Sequence, residues 1–106
     1  KGIPDVRLAT KTLRYEPRYA NSYANRAYAY YKLGEYEKGL ADCDKAIKLR
    51  PEDANAYCNR GHCRAALGDA EAAAADFRRA LELPGPPSVF EEASQGLRAL
   101  RDNKSG

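Results

Sequence analysis

The chain repeats itself every 34 residues, and that period restricts its fold more than any single residue does. Residues 20–53 read ANSYANRAYAYYKLGEYEKGLADCDKAIKLRPED, and residues 54–87 read ANAYCNRGHCRAALGDAEAAAADFRRALELPGPP. Superposed without a gap, the two segments agree at 12 of 34 positions, among them Tyr23/Tyr57, Asn25/Asn59, Arg26/Arg60, Gly34/Gly68 and Asp42/Asp76. A unit of this length built from two helical segments cannot bury its apolar side alone, so units must stack. A stack of helix pairs presents an extended concave surface, which suits the holding of another chain.

Apolar residues recur at three- and four-residue steps, and breakers divide them into helices over 5–15, 20–33, 36–49, from 53 or 55 to 67, 70–83 and 88–101. Pro17, Gly34, Pro51 and Gly68 punctuate the series, and Pro84-Gly85-Pro86-Pro87 breaks it hard. Val6, Leu8, Ala9 and Leu13 supply the face of the first helix; Leu40, Cys43, Ala46, Ile47 and Leu49 point inward from the third. Ser88 and Glu91 have capping-box spacing, so a last helix is expected to start at Ser88. Its stripe of Phe90, Ala93, Leu97 and Leu100 is expected to dock on the helix before it, with Glu91, Glu92, Arg98 and Arg101 in solvent and 102–106 as a frayed tail. No segment alternates as a strand does. The expectation is an all-α chain of about six antiparallel helices, too short for two independent cores.

Charge narrows the partners. The 18 basic and 15 acidic residues are interspersed and give a net charge of +3, without the basic stripe that nucleic-acid binding requires. No apolar run approaches a membrane span, and no secretory signal precedes the helices. The three Cys are an odd number; they fit no disulfide framework and favour a reducing, cytoplasmic compartment. The chain starts at Lys1 and contains no Met, as expected of a processed or excised piece.

With Tyr23, Arg26-Ala27, Tyr30, Gly34, Tyr36, Gly39, Cys43, Ala46 and Pro51 in one repeat, and Tyr57, Arg60-Gly61, Gly68, Ala73, Phe77 and Ala80 in the next, the chain resembles the tetratricopeptide repeat family. The resemblance implies antiparallel helix pairs stacked as a short right-handed superhelix. It makes 1–106 one domain, with 5–17 as the second helix of a preceding half-repeat, 20–53 and 54–87 as repeats, and 88–101 as a capping helix. Ala27, Gly61, Ala46 and Ala80 are small where helices must cross closely, whereas Tyr23, Tyr57, Phe77, Leu49 and Leu83 fill the gaps. Arg64 stands where Tyr30 stands one period earlier, Ala70 where Tyr36 stands and Gly85 where Pro51 stands; these departures are read as the end of the array.

In this family the first helix of each pair lines the groove. The positions so implied are Asn21, Ala24, Asn25, Tyr28, Tyr31 and Lys32, then Asn55, Cys58, Asn59, His62, Ala65 and Ala66. Of these, Asn21, Asn25, Tyr28, Tyr31, Lys32, Asn55, Asn59 and His62 are the expected peptide-binding residues. Asn25 and Asn59 could form a ladder of amides for an extended peptide, or could bind helix backbone or water. Some relatives grip the carboxylate of a chaperone tail with an Asn at the position of Asn25 and a Lys and Arg on the next repeat; here Asn55 and Asn59 occupy those two places. Cys58 and His62 share a helix face, but Cys63 lies off it and no further ligand recurs nearby, so neither metal nor cofactor is expected. Nor do Cys58 and His62 have an orienting group, so no enzyme is expected. Arg26 and Arg60 are expected to reach an acidic group such as Asp42 or Asp76. The expected partner is a protein or peptide, with no nucleic acid and no membrane insertion. The alternatives are an architectural or self-associating segment of a longer array and, behind it, a module for chaperone tails with a degenerate carboxylate clamp.

Overall fold

The structure, a computed structural model, describes the backbone of residues 20–105 and the side chains of residues 20–102. Five helices follow one another: α1 (Ala20–Lys32), α2 (Tyr36–Leu49), α3 (Ala54–Ala66), α4 (Ala70–Glu82) and α5 (Pro87–Ser105). The described residues hold no strand. The helix expected over 5–15, and the half-repeat it belongs to, lie outside the described residues.

Local chemistry sets the ends of the helices. Gly34 and Gly68 take φ of 81° and 90°, a left-handed backbone that glycine adopts without a Cβ penalty. Each lets the following amide reach back over the turn: Glu35 N donates to Tyr30 O at 2.8 Å and Asp69 N to Arg64 O at 2.9 Å, which closes the C-terminus of the helix before it. Asp53 and Asp69 then start the next helices, each accepting through Oδ1 from an amide three residues on, Ala56 N and Ala72 N, at 3.3 Å.

The turns fold α2 back along α1 and α4 back along α3, while α3 also packs against α1 and α2. Close approach needs small residues, and Ala27, Ala46, Ala73 and Ala80 are fully buried. Phe77 of α4, 1% exposed, fills the space between α3 and α5. Two glycines make room for it. A Cβ on Gly61 would stand 2.8 Å from Phe77 Cε1, and one on Gly96 would stand 2.5 Å from Phe77 Cζ. Burying this ring stabilises the stack by roughly 2–3 kcal/mol.

Ion pairs tie the two helices of each repeat together, as expected of Arg26 and Arg60. Arg26 makes two hydrogen bonds to Asp42, and Arg60 makes two to Asp76 and a third to Asp44. Arg64, which replaces the Tyr of the earlier repeat, adds a bond to Asp76 at 2.8 Å.

Four expectations are corrected. Leu49 is 46% exposed rather than inward, because Ala46 and Cys43 already occupy the buried face of α2. Helix α5 starts at Pro87, not Ser88. Proline suits the first helical position because its missing N–H has no intrahelical partner there, and Pro86 O accepts from Val89 N and Phe90 N instead. The inward stripe of α5 is Val89, Ala93, Leu97 and Leu100, while Phe90 lies off it, 47% exposed. The same helix continues through Ser105, where a frayed tail was expected.

Candidate functional site

Helices α1, α3 and α5 enclose a cleft of about 540 Å³. Tyr28, Tyr31 and Lys32 come from α1, His62, Ala65 and Ala66 from α3, and Glu92, Gln95 and Gly96 from α5, with Phe77 of α4 behind them. Four residues expected from the sequence thus converge: Tyr28, Tyr31, Lys32 and His62.

Their rings form a continuous run. Tyr28 meets Tyr31 with centroids 6.4 Å apart; Tyr31 stacks on His62 at 5.1 Å with 26° between planes; His62 meets Phe77 edge-on at 5.1 Å. Such contacts make rigid walls, because each ring is fixed by the next. Lys32 Nζ lies 5.7 Å from the centre of the Tyr28 ring, so an ammonium lining the cleft sits beside an aromatic face. At the inner end His62 Nε2 stands 3.3 Å from Glu92 Oε1 and 3.7 Å from Cys58 Sγ.

Burial pushes the His62 imidazole below its ordinary pKa; Glu92 pulls it back up and Lys32 opposes that pull. Tyr31 is raised, by burial first and then by Tyr36 and its other neighbours. Burial also raises the Cys58 thiol to about 12 and the Cys63 thiol to about 11, and it raises Cys43 as well. All three are protonated at neutral pH and pack as small apolar groups rather than nucleophiles.

The other four expected residues do not join this cleft. Asn21 and Asn25 lie exposed on α1, and Asn55 is half-buried on α3. The amide ladder is broken: Asn59 is 2% exposed, and its Nδ2 donates to Ala24 O at 2.9 Å. The amide satisfies helix backbone, one of the two roles open to it. Asn25 differs because α3 has α1 beside it, whereas among the described residues no helix lies against α1 at the matching place.

Sequence reasoning missed Phe77, Gln95 and Gly96 as cleft residues, and it placed Glu92 in solvent. Glu92 is half-buried and paired with His62. The available signal was Ala93: once Val89 and Ala93 mark the inward stripe, Glu92 flanks it on the side of α3.

A stack of helix pairs, each folded back on itself, with an aromatic side cleft belongs to the class of stacked helical repeats. Two family models described as tetratricopeptide repeat match it, over residues 20–53 and 43–75. Among solved structures, the first such domain of Spaghetti (RPAP3), bound to the HSP90 peptide SRMEEVD, is 33% identical with a TM-score of 0.82, covering 95% of this chain and 78% of that one. The Arabidopsis OM64 domain is 33% identical with a TM-score of 0.83 over 92% of this chain and 78% of its own. The second domain of human RPAP3, in complex with the HSP70 peptide SGPTIEEVD, is 32% identical with a TM-score of 0.77 over 91% and 78%. The chain belongs to the tetratricopeptide repeat family, whose members generally serve as non-enzymatic protein-interaction modules. Among curated protein sequences none matches it. No described helix is long and apolar enough to cross a membrane.

Proposed function

We propose that the cleft between α1, α3 and α5 receives an extended segment of a partner protein. The observation that carries this reading is the convergence of Tyr28, Tyr31, Lys32 and His62 on one cleft with a rigid aromatic wall. Rings held by their neighbours lose little freedom when a ligand arrives, so contact area converts efficiently into affinity. The polar edge supplied by Lys32, Glu92 and Gln95 fixes the register of a bound backbone.

The bound relatives carry peptides ending in Glu-Glu-Val-Asp. In this chain the positions implied for the cationic pair are Asn55 and Asn59, and Asn59 is spent on Ala24. Without that pair a terminal carboxylate loses its charge-assisted grip, so an internal segment is the favoured occupant. The test is capture of partner protein by the 106-residue chain and by Tyr28→Ala, alongside anisotropy with SRMEEVD as free acid and as C-terminal amide. Weaker capture by Tyr28→Ala, and equal weak binding of acid and amide, are expected. Tight binding that requires the free carboxylate would overturn the choice of occupant, and unchanged capture would overturn the cleft.

A second reading has one observation in its favour. On the far side, α4 and α5 form a broad groove with Ala74, Leu81 and Leu97 in its floor and Arg78 and Arg98 at its edge. A further helix stacked there would make this stretch an architectural part of a longer array. Sedimentation equilibrium over a concentration series distinguishes self-association through this face from a monomer with a working cleft.

A further inference from the structure

The cluster at the inner end of the cleft has a geometry that packing of the repeat does not require. Cys58 Sγ, His62 Nε2 and a Glu92 carboxylate oxygen all lie within 4.8 Å of one another. Sγ to Nε2 is 3.7 Å, and Nε2 to Oε1 is 3.3 Å. One period earlier the same positions of the repeat hold Ala24 and Tyr28. The cluster is a property of this repeat and not of the fold.

We propose that Cys58, His62 and Glu92 bind a divalent transition-metal ion of the zinc type, with a fourth coordination position reached from the cleft. Zinc holds sulfur at about 2.3 Å and nitrogen or oxygen at about 2.0–2.1 Å in a tetrahedron. Those lengths put nitrogen and sulfur about 3.5 Å apart, and nitrogen and oxygen about 3.3 Å apart. The two separations from His62 Nε2 lie within a few tenths of an ångström of these values, and Sγ and the carboxylate oxygen lie within 4.8 Å of each other, so that an ion would draw these two closer. Four-residue spacing on α3 brings Cys58 and His62 to one face. The docking of Val89 and Ala93 brings Glu92 to it from α5.

The ring of His62 is already oriented for this task. Tyr31 covers one face and the edge contact with Phe77 fixes the rest, so Nε2 is aimed at Cys58 and Glu92 before an ion arrives. Thiolate, imidazole and carboxylate together suit zinc and its neighbours; magnesium and calcium call for oxygen cages. His62 and Glu92 line the cleft, which gives the ion a path in and leaves one side open to water or to a ligand. Binding exchanges the S–H bond of Cys58 for an S–metal bond and releases that proton to solvent. Lys32, the cleft's ammonium, opposes the ion, so Lys32→Gln should tighten binding.

The competing account is a His62–Glu92 hydrogen bond beside an inert core thiol. The two accounts differ at Cys58, which the metal site needs as a ligand and the hydrogen-bond account needs only as core packing. The test is titration of the full chain, reduced, with Co²⁺ as a spectroscopic substitute for zinc. One equivalent should develop a thiolate-to-cobalt charge-transfer band, which Zn²⁺ then removes. Cys58→Ala should abolish the band. Glu92→Gln, at a half-exposed position whose replacement leaves folding intact, should weaken cobalt binding by about tenfold or more. Cys63→Ala should keep the band. Absence of the band at excess Co²⁺, a band that survives both Cys58→Ala and Glu92→Gln, or one lost in Cys63→Ala overturns the proposal. Should Cys58→Ala fail to fold, Glu92→Gln alone decides. No peptide enters the assay, so the outcome is independent of the proposed peptide docking.

Discussion

Arg60 grips Asp76 through two parallel hydrogen bonds, Nε to Oδ2 at 3.0 Å and Nη2 to Oδ1 at 2.9 Å, and the pair repeats Arg26–Asp42 one period later. Both carboxylates are buried, at 4% and 3% exposure for Asp42 and Asp76. A buried carboxylate is tolerable only when its oxygens are satisfied, and the flat guanidinium fork matches both at once. Each pair joins the two helices of its repeat, so it sets their register as well as neutralising charge. At Asp76 the arrangement is denser, because Arg64 adds a third bond.

Asp76→Ala is therefore expected to destabilise the chain more than Asp42→Ala. It strips a partner from both Arg60 and Arg64, although Arg60 keeps Asp44. With both guanidinium groups partly exposed, the cost should be about 2–4 kcal/mol rather than the full value for a deeply buried pair. Urea denaturation of the two variants measures it, and a midpoint for Asp76→Ala equal to the parent's would contradict the account.

These pairs also show which parts of the structure can be read from the sequence. Arg26/Asp42 and Arg60/Asp76 occur twice at one spacing, and so do Gly34/Gly68 and the buried Ala46/Ala80. A feature that repeats declares its role, because each copy checks the other. Helix α5 has no second copy. Val89 and Phe90 both keep helical spacing to Ala93 and Leu97, four and three residues before Ala93, so periodicity alone leaves open which of them faces inward. Docking on α3 and α4 decides it: Val89 lies inward, Phe90 outward and Glu92 against His62. Asn59 fails for a different reason. Its sequence is that of Asn25, and only the presence of α1 beside α3 separates a buried amide from an exposed one.

The difference between the two amides is measurable. Asn59→Ala removes a buried hydrogen bond between α3 and the Ala24 carbonyl of α1 and leaves a gap, and should cost about 1–3 kcal/mol. Asn25→Ala, on an exposed face, should stay within about 0.5 kcal/mol of the parent. Equal thermal midpoints for the two variants would show that burial of Asn59 contributes nothing.

Gly96→Ala tests how tightly α5 is seated. The added Cβ would meet Phe77 Cζ at 2.5 Å and Cε2 at 2.6 Å, so the ring or the helix must shift. Overpacking of this kind costs about 1–3 kcal/mol, against which alanine's better helix propensity returns about 1 kcal/mol. Net destabilisation is expected, with recovery of part of the loss when Phe77→Leu is added. A Gly96→Ala variant more stable than its parent would mean that α5 sits further from Phe77 than described.

The corrected facing of α5 reverses the expectation for its first turn. Phe90 is nearly half exposed while Val89 is buried. Val89→Ala should cost about 1–2 kcal/mol through lost burial, whereas Phe90→Ala should cost less than about 1 kcal/mol despite removing the larger side chain. Chemical denaturation of both variants decides it, and the reverse order would restore Phe90 to the inward stripe.

Tyr28 and Tyr31 separate stability from recognition. Tyr31 is half-buried and its ring touches Tyr28, Tyr36 and His62, so Tyr31→Ala removes wall and scaffold together. Tyr28 is 38% exposed and meets that wall through Tyr31, with Lys32 over its face. Its truncation should leave the thermal midpoint nearly unchanged yet weaken partner capture by about 2 kcal/mol, as loss of an aromatic anchor commonly does. Tyr31→Ala should lower both. Capture that falls only in proportion to folding, across both variants, would remove the cleft from the account of binding and leave the outer face of α4 and α5 as the working surface.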